Sequence, residues 1–342
     1  MAASLSPGAK TAIKGRFGYE FLNVLGRGSF SRVLLARQRA TGQLYAVKVI
    51  DKEKATDTIS TEFSVLQGNS CVPFLVSLHA AFQTVDRILL VMDYAAGGDL
   101  FSFLMRTRGG LDEASVRFYS AEIICALGFL HGRGILHRDL KPDNVLLDYY
   151  GHVMLADFGL CKPGIFGNMK TRSFNGTLFY MAPEMMLAQE YGRSVDWWSF
   201  GVMVYEMALN RYPFDITEKM GTDLVGIRNA VLNNPLHFYG SSSITRELAD
   251  LVEHLLRLEP QMRLGSEPYD AEALRMHPFY IGVNWDDVPL KKLIPPFCPM
   301  AYLTHNEDVQ FFDLTFGNQS ISQSISLSTE LPVQETDCNR WD

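Results

Sequence analysis

The sequence lacks any pair of cysteines two residues apart, any apolar run of membrane-spanning length, any internal repeat and any excess of positive charge. Its five cysteines (Cys71, Cys125, Cys161, Cys298 and Cys338) are scattered, with no histidine at metal-ligand spacing. That excludes a disulfide scaffold and a zinc ribbon and points to reduced thiols, so the expected location is the cytoplasm, with the nucleus also open. The longest uncharged apolar stretches, 123–130 and 197–205, fall well short of the roughly 18–20 residues a membrane span needs. The first fourteen residues carry no apolar core of a secretory leader. With 31 Lys+Arg against 38 Asp+Glu the net charge is −7, which argues against nucleic acid as the main partner. The same acidity suits a basic peptide or protein substrate.

What is present is an ordinary globular composition, 47% hydrophobic and 20% charged, over 342 residues, long enough for two compact units. Residues 1–16 are small and polar and read as a flexible arm. From 17 to 94 the pattern is strand-like, with β-rich runs at 19–25, 32–37, 44–50, 72–82 and 88–93 and one amphipathic helix around Glu62, Val65 and Leu66. After Ala95-Ala96-Gly97-Gly98 the texture becomes helical through 279. Helices are expected over 113–131, 195–209 and 248–258, and a hairpin over 145–155. Residues 280–342 are punctuated by proline and then rich in Ser, Thr and Gln, so they should wrap the surface or stay disordered. The fold class is α+β, a small antiparallel sheet with one main helix followed by a larger helical region.

Several segments carry chemistry. Gly26-Arg27-Gly28-Ser29-Phe30-Ser31-Arg32-Val33 places two glycines at a strand turn, where backbone N–H groups can approach phosphates without hindrance. Alone, it reads equally well as a plain glycine hairpin. Lys48 stands inside the apolar strand Ala46-Val47-Lys48-Val49, either as an edge lysine or as a phosphate ligand paired with Glu62. The run His137-Arg138-Asp139-Leu140-Lys141-Pro142-Asp143-Asn144 packs a carboxylate, an ammonium and an amide just before an apolar strand. Eighteen residues after Asp139 comes Asp157-Phe158-Gly159, and Ala182-Pro183-Glu184 closes the segment.

In this order and spacing the motifs resemble those of the eukaryotic protein kinases. Asp196-Trp197-Trp198-Ser199-Phe200-Gly201 and the late Arg263 extend the likeness, which covers nearly the whole chain. The segments Met92 to Phe101, Asp157 to Lys162 and Thr171 to Thr177 are similar to the group of protein kinases A, G and C, with a protein kinase C-like branch favoured. Pro295-Pro296-Phe297 belongs to the same set. The resemblance implies a bilobal fold: small lobe 17–94, large lobe 95–279 and a C-terminal tail 280–342.

It also implies transfer of the ATP γ-phosphoryl group to Ser or Thr of proteins, with ATP and magnesium as cofactors. Lys48 would hold the α- and β-phosphates and Glu62 would hold Lys48. Asn144 and Asp157 would bind the metal. Asp139 would orient the attacking hydroxyl, with Lys141 near the γ-phosphate and Thr177 bracing both. The turn of Gly26, Arg27, Gly28, Ser29, Phe30 and Ser31 would cover the phosphates. Adenine would contact Val33, Ala46, Met92 and Leu146, with backbone bonds at Asp93 and Ala95. Asp99, Asp143 and Glu206 would hold arginine before the acceptor, or Asp99 would hold the ribose. Phe174, Leu178 and Met181 would take an apolar residue after it. Leu66, Leu78, His137 and Phe158 match an apolar column joining the lobes.

Ser173 would be an activation-segment phosphosite for an upstream kinase, gripped by Arg138 and Lys162. The expected molecule is a monomer. The alternative is a kinase-like scaffold without turnover, but Lys48, Asp139 and Asp157 are all present. Three departures stand out: Ser31 for the third glycine, a short interval from Lys48 to Glu62, and Asn175-Gly176-Thr177-Leu178-Phe179 where relatives have Cys-Gly-Thr-Pro-Glu. In the tail, Phe312 and Phe316 fit a tether crossing near the adenine better than a terminal docking motif around Thr315.

Overall fold

Side chains sent to opposite faces of each strand build the first of two compact units. Leu34 and Ala36, Val47 and Val49, and Leu89 and Val91 all point to one side of a sheet, where Tyr19, Phe21, Val24 and Phe82 complete a core. The strands are β1 (Tyr19–Arg27), β2 (Ser31–Gln38), β3 (Leu44–Asp51), β4 (Leu78–Gln83) and β5 (Arg87–Asp93), all antiparallel in the order β1-β2-β3-β5-β4. A two-residue strand, Glu335–Thr336, pairs with the outer edge of β4. The computed structural model describes residues 18–28, 31–54, 58–69, 72–107, 109–216, 221–238, 244–300 and 335–336. Phe312, Thr315 and Phe316 lie outside them.

The second unit takes in 57–77 and 95–311. Its helices are α1 (Thr58–Gly68), α2 (Leu100–Arg106), α3 (Glu113–Gly132), α4 (Pro183–Met186), α5 (Ser194–Leu209), α6 (Leu224–Asn233), α7 (Arg246–Leu255) and α8 (Ala271–Arg275). Side-chain caps start four of them: Asp99 for α2, Asp112 for α3, Asp223 for α6 and Thr245 for α7 each accept a backbone N–H of the first turn. The hairpin β6 (Val145–Leu147) and β7 (Val153–Leu155) lies between α3 and α4 in the chain. The near-continuous apolar pattern of α5 reflects burial all round, with Trp197, Trp198, Phe200 and Met203 fully enclosed.

Two elements differ from the sequence pattern. The strand expected over 72–82 begins only at Leu78. Residues 74–76 instead pair with β7, Leu155 N–H donating to Phe74 O at 2.8 Å and Val76 N–H to Leu155 O at 3.0 Å. Their apolar side chains are buried in the second unit, so periodicity alone could not separate them from β4. Helix α7 ends at Leu255 rather than at 258, because Leu256 and the residues after it turn toward Arg263. The start of the tail folds back: Phe297 stacks on Phe103 at 4.8 Å, and Lys291 Nζ reaches Asp148 at 2.8 Å. Gly151, at φ +100°, is the point of closest approach, since a Cβ there would meet the Phe297 carbonyl oxygen.

A buried ion pair ties α4 to the chain after α7. Both Arg263 guanidinium nitrogens donate to Glu184, Nη1 to Oε1 at 2.7 Å and Nη2 to Oε2 at 3.0 Å. Arg263 also donates to the carbonyls of Ser194 and Arg257 and lies over the Trp198 ring. Both side chains are almost fully enclosed, so removing one partner leaves a buried charge uncompensated. Glu184→Ala is expected to cost about 3–5 kcal/mol of unfolding free energy in urea titration. A loss under 1 kcal/mol would show that the pair contributes little.

Candidate active site

One buried carboxylate shapes the segment from His137 to Asn144. Asp196, in the first turn of α5, accepts His137 N–H on Oδ2 and Arg138 N–H on Oδ1, each at 2.8 Å. These bonds support Arg138 at φ +68°, a left-handed conformation unfavourable for a long side chain. The His137 ring packs edge-on to Phe158, and its Nδ1 accepts Asp139 N–H at 3.3 Å.

Asp139 thereby enters a dense polar cluster. Its Oδ1 accepts the Thr177 hydroxyl at 2.7 Å, and its Oδ2 lies 3.0 Å from Lys141 Nζ. Lys141 Nζ also donates to Thr177 Oγ1 at 2.7 Å, so hydroxyl, ammonium and carboxylate close a triangle. Asn144 Nδ2 donates to the Asp139 carbonyl at 2.7 Å and to Oδ2 at 3.1 Å. Gly176, at φ +116°, lets the Thr177 segment run beside this loop, because a Cβ there would sit 2.5 Å from Arg138 O.

Asn144 uses its amide nitrogen in both of those bonds, which presents its oxygen as the atom that could ligate a metal. Asp157 adopts φ +58° at the start of the Asp-Phe-Gly turn. A Cβ on Gly159 would lie 3.5 Å from both Asp157 Oδ1 and Glu62 Oε2, so α1 brings Glu62 to the same turn. A carboxylate and an amide oxygen form the all-oxygen donor set that fits magnesium.

In the first unit the register gathers the other predicted ligands on one face. Val33, Lys48 and Leu90 are directly opposed across β2, β3 and β5, as are Leu35, Ala46 and Met92. This row faces away from the Val47 and Val49 core, and Lys48 is half-buried in it. Gly26 and Arg27 pair with Val33 and Arg32, and Gly28 N–H closes the turn on Ser31 O at 2.8 Å. Ser29 and Phe30 lie outside the described residues. Asp93 ends β5, its Oδ1 2.5 Å from His79 Nε2. Ala95 is buried at the start of the second unit, where Leu146 forms a bridge to Asp99.

The remaining candidates divide. Asp99 is committed as the α2 cap, accepting Ser102 N–H at 2.6 Å and Ser102 Oγ–H at 3.0 Å. Partial burial and the charges of Asp99 and Asp139 hold the Asp143 carboxyl above its usual range. Glu206 accepts the Tyr180 hydroxyl at 2.6 Å, and burial, with repulsion from Asp143, also raises its pKa. Asp143 therefore lies within electrostatic reach of Asp99, Asp139 and Glu206. Phe174 is 51% exposed and Leu178 half-buried, whereas Met181 is only 2% exposed and offers almost no surface. Ser173 Oγ accepts Arg138 Nη1–H at 2.5 Å and shares a hydrogen bond with Tyr191 OH at 2.9 Å. Lys162 is exposed, with its backbone paired to Leu136.

Sequence reasoning did not single out Asp196 as the anchor of the loop, nor Tyr191 as the partner of Ser173. For Asp196 a signal existed: a lone carboxylate inside an apolar helical run must find buried donors. Tyr191 gives no comparable signal, since its role depends on a bridge between Thr171 and Tyr191 formed in the fold.

The profile of the protein kinase domain matches residues 19–280. Human RAC-beta serine/threonine-protein kinase is 42% identical over 309 residues, covering 89% of this chain and 62% of the relative. The RAC serine/threonine-protein kinase of Drosophila melanogaster shows the same identity over 49% of its length. Serine/threonine-protein kinase Sgk1 of Fundulus heteroclitus is 42% identical over 335 residues, 96% of this chain and 74% of that protein. The chain thus spans less than two thirds of the RAC kinases it matches. Its two-lobed α+β architecture, its motif order and these relatives agree: the chain belongs to the protein kinase domain family, in the group of serine/threonine kinases related to protein kinases A and C.

Proposed function

We propose that the protein transfers the γ-phosphoryl group of ATP to serine or threonine hydroxyls of protein substrates with arginine before the acceptor. The observation that carries this reading is the triangle of Asp139, Lys141 and Thr177 with Asn144 beside it. A carboxylate held this way can orient a hydroxyl and accept its proton as the new P–O bond forms. The ammonium of Lys141 sits where negative charge develops, and no covalent intermediate is needed. Asn144 and Asp157 would hold magnesium, which when bound neutralises charge between the phosphates. Lys48 would serve the α- and β-phosphates, with Glu62 orienting it. Val33, Ala46, Met92 and Leu146 offer the apolar contacts for adenine, and the backbone at Asp93 and Ala95 its hydrogen bonds. The turn from Gly26 to Ser31 would cover the phosphates.

Asp143 and Glu206 support the arginine preference. Both carboxyls sit at raised pKa near other acids, so an incoming guanidinium relieves repulsion as well as forming charge-assisted bonds. Phe174 and Leu178 favour an apolar residue after the acceptor. Ser173, already on Arg138, is suited to phosphorylation by an upstream kinase, because a phosphate there would face a guanidinium. The three described cysteines, Cys125, Cys161 and Cys298, are free, in keeping with a reducing compartment such as the cytoplasm or nucleus.

The protein incubated with ATP, magnesium and a degenerate Ser/Thr peptide library should select arginine N-terminal to the acceptor. Selection of acidic or proline-directed peptides would reject this specificity, and absence of any phosphopeptide would reject the activity. Glu206→Gln is expected to lower kcat/KM for arginine-containing peptides about 10-fold or more, the equivalent of one hydrogen bond to a charged group, while sparing peptides without arginine.

A pH profile tests the electrostatics separately. The folded state holds the Glu206 proton above the ordinary value near 4.5, so this group's contribution to stability is greatest below pH 4.5 and is lost as pH rises through the folded pKa. Glu206→Gln should therefore melt higher than the parent at pH 7, with the gap closing toward pH 4. A variant that melts lower at pH 7 would contradict this. Ser173→Ala, expressed in the native cell, should lose most activity, and wild-type activity there would place the switch elsewhere.

A further inference from the structure

His131 lies near the C-terminal end of α3 and is 1% exposed. Each of its ring nitrogens faces a different carboxylate: Nε2 lies 2.9 Å from Asp196 Oδ2, and Nδ1 lies 2.9 Å from Asp270 Oδ1. A neutral imidazole carries one N–H and one lone pair, and an ionised carboxylate only accepts. A neutral ring would aim a lone pair at a carboxylate oxygen at hydrogen-bond distance. Both contacts are attractive together only when both nitrogens carry protons.

The surroundings agree. Burial opposes charge on the ring, but the two carboxylates outweigh it and push its pKa up to about 9, while both partners are held below the usual carboxylate range. Asp270 is itself over-determined, accepting Trp197 Nε1–H at 2.7 Å and Arg193 Nη1–H at 2.9 Å while held at φ +48°. Trp197 packs edge-on to the His131 ring. The other charged or titratable groups around the trio are Arg193 with its partner Glu267, His137 and Arg138 on the Asp196 side, and the Cys161 thiol. Burial pushes that thiol up, so it stays neutral.

The same Asp196 oxygen that receives His131 Nε2–H also receives the backbone N–H of His137. We propose that His131 is a positioning residue protonated at neutral pH: Asp270 holds one nitrogen, and the other N–H fixes Asp196 in the rotamer that sets the His137–Arg138 backbone and so places Asp139. Loss of one ring proton to solvent turns an attractive pair into a repulsive one and lets the loop shift. The catalytic part of this inference rests on the kinase reading above, whereas the state of the ring does not.

The full chain labelled with 15N-histidine separates the two. At pH 7 both His131 ring nitrogens should give imidazolium shifts, and the ring should titrate on the alkaline side, with kcat falling and melting temperature declining over the same range. Stability from this group is complete below the ordinary histidine value of 6.5 and is lost as pH rises toward 9. Asp270→Asn removes one charge. It should move the ring titration and the alkaline limb of kcat down together by about one pH unit or more, with KM for ATP unchanged. Arg193→Leu, on the other side of Asp270, should move both upward, and it serves if Asp270→Asn fails to fold. A neutral His131 ring in the wild type at pH 7 would overturn the proposal, as would a ring titration that moves in either variant while the kcat limb stays fixed. If the protein shows no phosphotransfer at all, the ring titration still decides the protonation state, and only the kinase reading falls.

Discussion

The second compact unit of this protein hangs on one carboxylate with no access to water. Asp196 is 0% exposed and accepts three N–H groups, two from the backbone of the catalytic loop and one from His131. Burying such a charge is costly unless every lone pair finds a donor, and here the donors are the groups that must be held still. The loop, in turn, determines where Asp139 points and which carbonyl Gly176 must clear. Lys141 and Asn144 from the loop itself, and Thr177 from the segment beside it, then close around Asp139.

The first unit solves a different problem with sheet periodicity. A two-residue repeat sends Val47, Val49, Leu89 and Val91 to the core and leaves Val33, Ala46, Lys48 and Met92 on the opposite side. A lysine in an apolar strand is thus no anomaly, because it lies on the face turned away from that core, opposite the half-buried Val33. One pattern both folds the sheet and sorts the side chains proposed for nucleotide binding.

Much of this was legible in the sequence, and the parts that were not share a physical cause. The strands around Lys48 announce themselves as short β-rich runs between glycine-containing turns, and the polar run from His137 to Asn144 through its density of charge. The segment 72–77 was read as the beginning of β4, yet it pairs with Leu155, a partner chosen by tertiary burial that no local window contains. Met181 was placed with Phe174 and Leu178 by its position in the chain, but its side chain is enclosed. Asp99, singled out as a ligand, also caps α2, a role its spacing in the sequence did not announce. The link from Asp270 through His131 to Asp196 joins residues 139 and 65 positions apart, beyond the reach of any spacing rule.

The claim on which the rest depends is that the Asp139 carboxylate orients and deprotonates the acceptor hydroxyl. The direct measurement is the single-turnover rate of phosphoryl transfer from ATP to an arginine-containing serine peptide by Asp139→Asn, alongside its affinity for magnesium-ATP. The amide keeps the shape of the group and removes the base, so the rate should fall by about 100-fold or more while nucleotide affinity stays near that of the parent. A variant that transfers phosphate at the parental rate would contradict the assignment of Asp139 and with it the account of the site.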